Sequence, residues 1–185
     1  AGDVDEVIMG CVLPAGVKQG PARQATLGAG LPTSVGCTTI NKLCGSGMQA
    51  VIMAHDQIRA GNASIIVAGG MESMSNAPFL LPGARKGYKY GDVKAVDSLV
   101  RDGLWCPFED WSMGNAAEHI AAKCAVSRGE QDRFAAQSHQ RAAAAWERGD
   151  FAAEIVPVVV GSGAKAKTVS RDEGIRAETT AEVLA

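Results

Sequence analysis

Three short apolar or β-branched runs, at residues 6–13, 34–41 and 64–68, alternate with two helix-compatible stretches inside the first 70 residues. That order constrains the fold more than any other feature, because strand, helix, strand, helix, strand builds a parallel sheet through right-handed crossovers. The first run, Glu-Val-Ile-Met-Gly-Cys-Val-Leu at 6–13, is almost unbroken in apolar residues. Such continuity marks a strand buried on both faces, so it predicts a central parallel strand ending at Pro14 and Gly16. Pro21 opens a helix over 22–29, and Gly30 with Pro32 closes it. Beyond a turn at Cys44, Met48, Val51, Ile52 and Ile58 recur at helical spacing and predict an amphipathic helix. Gly61 and Asn62 cap it, and the third strand ends in Gly69 and Gly70.

After Met74 the texture changes. Residues 75–111 hold Pro78, Pro82, Pro107 and several glycines, with a helical island predicted at 92–102, so this stretch reads as a long inserted lobe. Helices follow over 115–125 and 127–148, the second opening on Ser127-x-x-Glu130, a capping box, and ending near Gly149. Residues 151–160 and 165–170, joined by Gly-Ser-Gly at 161–163, predict a β-hairpin. The expected architecture is α/β, a mostly parallel sheet with helices on both faces in residues 1–74, followed by an inserted α+β lobe in 75–185. The chain starts Ala-Gly-Asp without Met and stops at Ala185 within a helical pattern, so it is expected to be an internal piece of something longer.

Composition removes several functional classes. With 46% hydrophobic and 21% charged residues over 185 positions, the chain can build a core and is not a disordered tail. Its 18 basic and 20 acidic residues are spread along the whole length, which leaves no electrostatic footprint for nucleic acid or an anionic membrane. The longest apolar runs fall far short of the roughly 20 residues that span a bilayer. Five cysteines, Cys11, Cys37, Cys44, Cys106 and Cys124, form no even framework and no C-x-x-C pair. Free thiols in a reducing, cytoplasmic compartment are expected. The histidines, His55, His119 and His139, are scattered, and no metal site is expected. His55 reads as a structural residue near the apolar stripe, His139 as part of a solvated face.

Two glycine motifs are set aside. Gly28-Ala-Gly30 runs into Leu31 and Pro32, and the proline would break the helix that must hold a pyrophosphate. Gly161-Ser-Gly163 lacks Walker spacing and sits between strands.

Cys44 stands apart. It lies between a strand and a helix that begins Gly45-Ser46-Gly47, so its sulfur is expected beside unpaired N–H groups at the positive end of a helix dipole, a setting that favours a thiolate. Glycines there also permit a sharp turn and close approach of an acyl group, while the amide of the nucleophile can donate to a developing oxyanion. This is the logic of a nucleophile elbow with sulfur in place of oxygen. The competing reading is a small buried thiol at a helix start. Cys11 and Cys124, in apolar patterns, take that buried reading.

Residues 40–51, Ile-Asn-Lys-Leu-Cys-Gly-Ser-Gly-Met-Gln-Ala-Val, resemble the active-site signature of the thiolases. Residues 67–78, Val-Ala-Gly-Gly-Met-Glu-Ser-Met-Ser-Asn-Ala-Pro, are similar to the strand and turn that follow it in that family. Shorter matches at 102–104, 113–118, 127–132 and 154–157 extend the resemblance over essentially the whole chain. It implies acyl transfer to or from coenzyme A, either condensing two acetyl-CoA to acetoacetyl-CoA or cleaving a 3-ketoacyl-CoA. Cys44 takes the acyl group as a thioester, and no metal or redox cofactor takes part, coenzyme A being a substrate. By the same resemblance Leu104 and Met113 line the pantetheine and acyl pocket, and Arg176 lies near the CoA nucleotide, where a cation suits the phosphates. The family assembles as homodimers or homotetramers, and residues 87–97 resemble a loop used in tetramer contacts.

Two departures accompany the match. Many short-chain biosynthetic members carry His where Ser112 stands here, preceded by Trp111. The family's C-terminal half supplies a His that activates the cysteine, a second Cys and an Asn, and none of His55, His119 and His139 matches that base. The chain alone is expected to have little turnover, lacking general acid/base help worth about 10² to 10⁴-fold. A non-catalytic CoA-binding or assembly module and a condensing enzyme of the ketoacyl synthase branch are the alternatives.

Overall fold

The computed structural model of the protein describes residues 2–185. β1 (Glu6–Gly10) lies between β2 (Gly36–Ile40) and β3 (Ile66–Gly70), and both neighbours run parallel to it. The first apolar run therefore takes the central parallel place that its continuity predicted. Ile8 pairs with Thr38 on one side and Ala68 on the other.

Successive side chains of a strand point to opposite faces, so Val7 and Ile8 serve different layers. Ile8 is wholly buried against Ala50 and Ala54 of α2 (Ser46–Arg59), with Ile40, Met53, Ile66 and Ala68 around them. Burying one such side chain contributes about 1.5–3 kcal/mol. On the other face Val7, Met9 and Val67 line a cavity of about 180 Å³ with Ala25 and Thr26 of α1 (Pro21–Gly28). α1 is tied to β2 through the Ala22 N–H, which donates to Thr39 Oγ1 at 3.1 Å. Helices thus cover both faces of the sheet. Ahead of β1, the Asp5 carboxylate accepts the Ser64 and Ile65 amides at 2.6 and 3.0 Å, and these bonds hold it below the usual aspartate range.

The packing face of α2 differs from the stripe read in the sequence. Ser46, Ala50 and Ala54 are its buried residues, whereas Met48, Val51, Ile52 and Ile58 are exposed. Small residues win this face because helix and sheet approach very closely at Gly10. A Cβ built there would lie 2.6 Å from Ser46 Cβ.

In the lobe after β3, β4 (Phe79–Leu80) pairs antiparallel with β5 (Val96–Asp97). The helix predicted over 92–102 is replaced by β5 and a π-helical turn at Leu99–Leu104. Two bonds explain the change: the Ser98 hydroxyl donates to the Pro78 carbonyl at 2.5 Å, pinning the strand, and Asp97 Oδ1 accepts the Leu99 amide at 2.8 Å, starting the turn. β6 (Trp105–Cys106) and β7 (Trp111–Ser112) then form a short hairpin.

One compact unit ends at Met113 and the other is Gly114–Ala185. The division differs from the 74/75 boundary expected above, and one reason is visible at Gly103, where an added Cβ would stand 3.6 Å from the buried Leu13 side chain, so that the two segments lie close. From Met113 onward come α3 (Met113–Lys123), α4 (Arg128–Arg148), the antiparallel pair β8 (Val158–Val160) and β9 (Lys167–Val169), and α5 (Ala181–Leu184). The predicted capping box is present: Ser127 and Glu130 satisfy each other's amides, and Gly149 at φ 76° ends α4 in the left-handed conformation that glycine adopts freely. Among the described residues no helix is long and apolar enough to cross a membrane.

Candidate active site

Cys44 occupies a turn that the sequence ties down at several points. Asn41 Oδ1 accepts the Leu43 amide at 2.9 Å, and Ser46 Oγ accepts the Lys42 amide at 2.8 Å while donating to the Leu43 carbonyl at 2.6 Å. The Gly45 and Ser46 amides donate to the Lys42 and Leu43 carbonyls at 3.1 and 3.0 Å. Leu43 sits at φ 50°, a left-handed conformation costly for a branched side chain and held here by this network. The result is a rigid platform that leaves Cys44 exposed.

This corrects two expectations. Cys44 is not the buried thiol of the competing reading, and the Gly45 and Ser46 amides are committed to turn carbonyls rather than unpaired. What remains of the dipole argument is position, since Cys44 immediately precedes the N-cap of a 14-residue helix.

Cys44 opens onto a cavity of about 300 Å³. Gly10, Gly47 and Gly70 form its glycine lining at the C-terminal ends of β1 and β3 and the first turn of α2. Val12, Leu43 and Met71 supply apolar walls, and Glu72 the one acidic group. The Glu72 carboxylate accepts the Val12 and Leu13 amides, each at 2.9 Å, and the Cys11 thiol at 3.6 Å. Burial pushes the Cys11 thiol up, and the adjacent Glu72 charge adds to the effect. Cys11 keeps the buried reading, whereas Cys124, expected buried, is exposed next to the end of α3.

Leu104 and Met113 are brought together. Trp105 pairs with Ser112 across the β6–β7 hairpin, so Leu104 and Met113 immediately flank that pair at its open end. Neither lines the Cys44 cavity. Arg176 belongs to the second unit, where it is exposed and its amide donates to His139 Nδ1 at 3.1 Å. His55, read as structural, is exposed beside Asp56 at 3.2 Å, and His119 lies on the exposed surface of α3. Glu72 was not singled out by the sequence reading, although it stands two residues after the Gly-Gly end of a strand, where a carboxylate can meet the amides of a neighbouring strand end.

A family profile described as "Thiolase, N-terminal domain" matches residues 1–185. The chain belongs to the thiolase family. Among its relatives, an acetyl-CoA acetyltransferase of Pseudomonas aeruginosa is 51% identical over 186 residues, covering 100% of this chain and 47% of the relative. Acetyl-CoA acetyltransferase 2 of Arabidopsis thaliana is 51% identical over 174 residues, covering 93% and 43% respectively. The crystal structure of the Bacillus anthracis acetyl-CoA acetyltransferase matches with a TM-score of 0.91 at 38% identity, over 98% of this chain and 46% of that one. This thiolase chain thus has the thiolase α/β fold and spans about half the length of the curated relatives it matches.

Proposed function

We propose that the protein containing this chain is an acyltransferase of the thiolase type. It condenses two acetyl-CoA to acetoacetyl-CoA, or cleaves a 3-ketoacyl-CoA with CoA, through a thioester on Cys44. The observation that carries this reading is an exposed cysteine on a turn locked by its own hydrogen bonds, above a glycine-lined cavity at the N-terminus of α2. An acyl carbonyl needs backbone-close access and a nucleophile that does not wander, and this arrangement offers both.

In the first half-reaction the Cys44 sulfur attacks the acyl carbonyl carbon. The thiol proton passes to a base, a histidine that the family supplies from its C-terminal half, and from there to the departing CoA sulfur. One carbon–sulfur bond forms and one breaks, so the step needs no redox partner. The oxygen of the tetrahedral intermediate would be met by the Cys44 amide, since the Lys42, Leu43, Gly45 and Ser46 amides already donate within the turn.

On this reading Leu104 and Met113 form an apolar seat for the pantetheine and acyl groups, which their adjacency across the β6–β7 pair favours. Arg176 serves the CoA nucleotide. The inserted lobe that begins at residue 75 is the substrate-binding part, the assembly is a homodimer or homotetramer, and the compartment is the cytoplasm. Thiolysis of acetoacetyl-CoA by the whole protein tests the proposal. Cys44→Ser should lower kcat/KM by on the order of 10³-fold or more, and retention of wild-type turnover would overturn it.

A further inference from the structure

The Cys44 cavity has one wall that is held mainly from outside the cysteine's own turn. Val12 lines the cavity, and its amide and that of Leu13 both end on the Glu72 carboxylate at 2.9 Å. These bonds join the segment after β1 to the segment after β3, across 60 and 59 residues of sequence. On the far side the Val12 carbonyl accepts a long bond, 3.4 Å, from Asn41. Leu13 is buried, and its Cδ2 lies 3.6 Å from where a Cβ on Gly103 would stand, directly before Leu104. Glu72 is thereby linked through Val12 to the cavity, and the side chain of Leu13, whose amide it also holds, lies close to the backbone beside Leu104.

We infer that Glu72 is a positioning residue for the acyl-CoA substrate, fixing the Val12 wall of the cavity and, through Leu13, the Leu104 segment. The inference rests on the thiolase reading of the site. The charge of the carboxylate suits the task, because a single ionised group accepting two amides makes stronger and better-directed bonds than a neutral acceptor. Cys44 itself is held by bonds among Asn41, Lys42, Leu43, Gly45 and Ser46, none of which ends on Glu72. Loss of Glu72 thus loosens the substrate's surroundings and leaves those turn bonds in place, the Val12 segment being tied to the turn by the long 3.4 Å bond from Asn41.

The test is steady-state kinetics of the whole protein with acetoacetyl-CoA and CoA, with amide hydrogen exchange as a second readout. Glu72→Ala should raise KM about tenfold while kcat changes less than about threefold, the cost of a misplaced substrate contact. Glu72→Gln retains one acceptor oxygen and should fall between wild type and Glu72→Ala, and it serves if the alanine variant does not fold. Exchange at Val12 and Leu13 should quicken in both variants. Unchanged KM and unchanged exchange in a folded variant, beside an active wild type, would overturn this inference alone. A kcat loss at constant KM would also overturn it, since it would place Glu72 with the nucleophile. A wild-type protein that never acylates Cys44 removes the function reading and this inference with it.

Discussion

Gly10 at the end of β1 and Ser46 at the start of α2 approach so closely that a Cβ on Gly10 would stand 2.6 Å from Ser46 Cβ. The same Cβ would lie 2.8 and 2.9 Å from the Ser46 carbonyl carbon and the Gly47 nitrogen, which are backbone and cannot swing aside. This close approach brings the first turn of α2, which follows Cys44, against the end of β1.

Gly10→Ala is therefore expected to cost about 1–3 kcal/mol through overpacking. Thermal melting checks it, and an unchanged melting temperature would contradict the close approach. Gly47→Ala is the informative partner, because a Cβ there meets nothing within 4 Å. It should stabilise the helix by about 0.5–1 kcal/mol yet slow acylation of Cys44, since the added methyl group borders the cavity.

Cysteine alkylation should separate the five thiols by environment. Cys44 and Cys124 are exposed and should react promptly with iodoacetamide near neutral pH, whereas Cys11 is 4% exposed and its thiol is pushed up. Cys11 should be the slowest, by peptide mapping after a short pulse. Its raised value also carries a sign for stability. The Cys11 contribution is complete below the ordinary thiol range and is lost as pH rises through the raised folded value.

The capping box of α4 has the opposite pH signature. Bonds from the Ser127 side chain and backbone lower the Glu130 carboxyl. A folded value below the unfolded one contributes stability above the ordinary carboxylate range, and that contribution disappears as pH falls through the lowered value. Glu130→Gln should flatten the acid limb of a melting-temperature profile, and Ser127→Ala should cost about 1 kcal/mol at neutral pH.

Much of the sheet was legible because local patterns carried it. The unbroken run at 6–13 could satisfy only a strand covered on both faces, and Ser127-x-x-Glu130 named its own helix start. What stayed hidden depends on contacts between distant segments. The buried face of α2 follows from the closeness of Gly10, which selects Ala50 and Ala54 over Met48 and Val51. Residues 96–97 became a strand rather than helix because Ser98 meets Pro78, 20 residues earlier. In the candidate site, the placing of Cys44 on a turn ahead of a helix was legible from its glycine-rich sequence. Glu72 was not, because its partners lie about 60 residues away and the Gly-Gly strand end ahead of it does not name them.

The most direct test of the account is mass mapping of the whole protein after brief exposure to acetyl-CoA, quenched at mildly acidic pH. The account predicts one acetyl group on the peptide containing Cys44, labile to hydroxylamine and absent from Cys44→Ser. Turnover of acetoacetyl-CoA with no acetyl group on Cys44, or with the label on another residue, would contradict it.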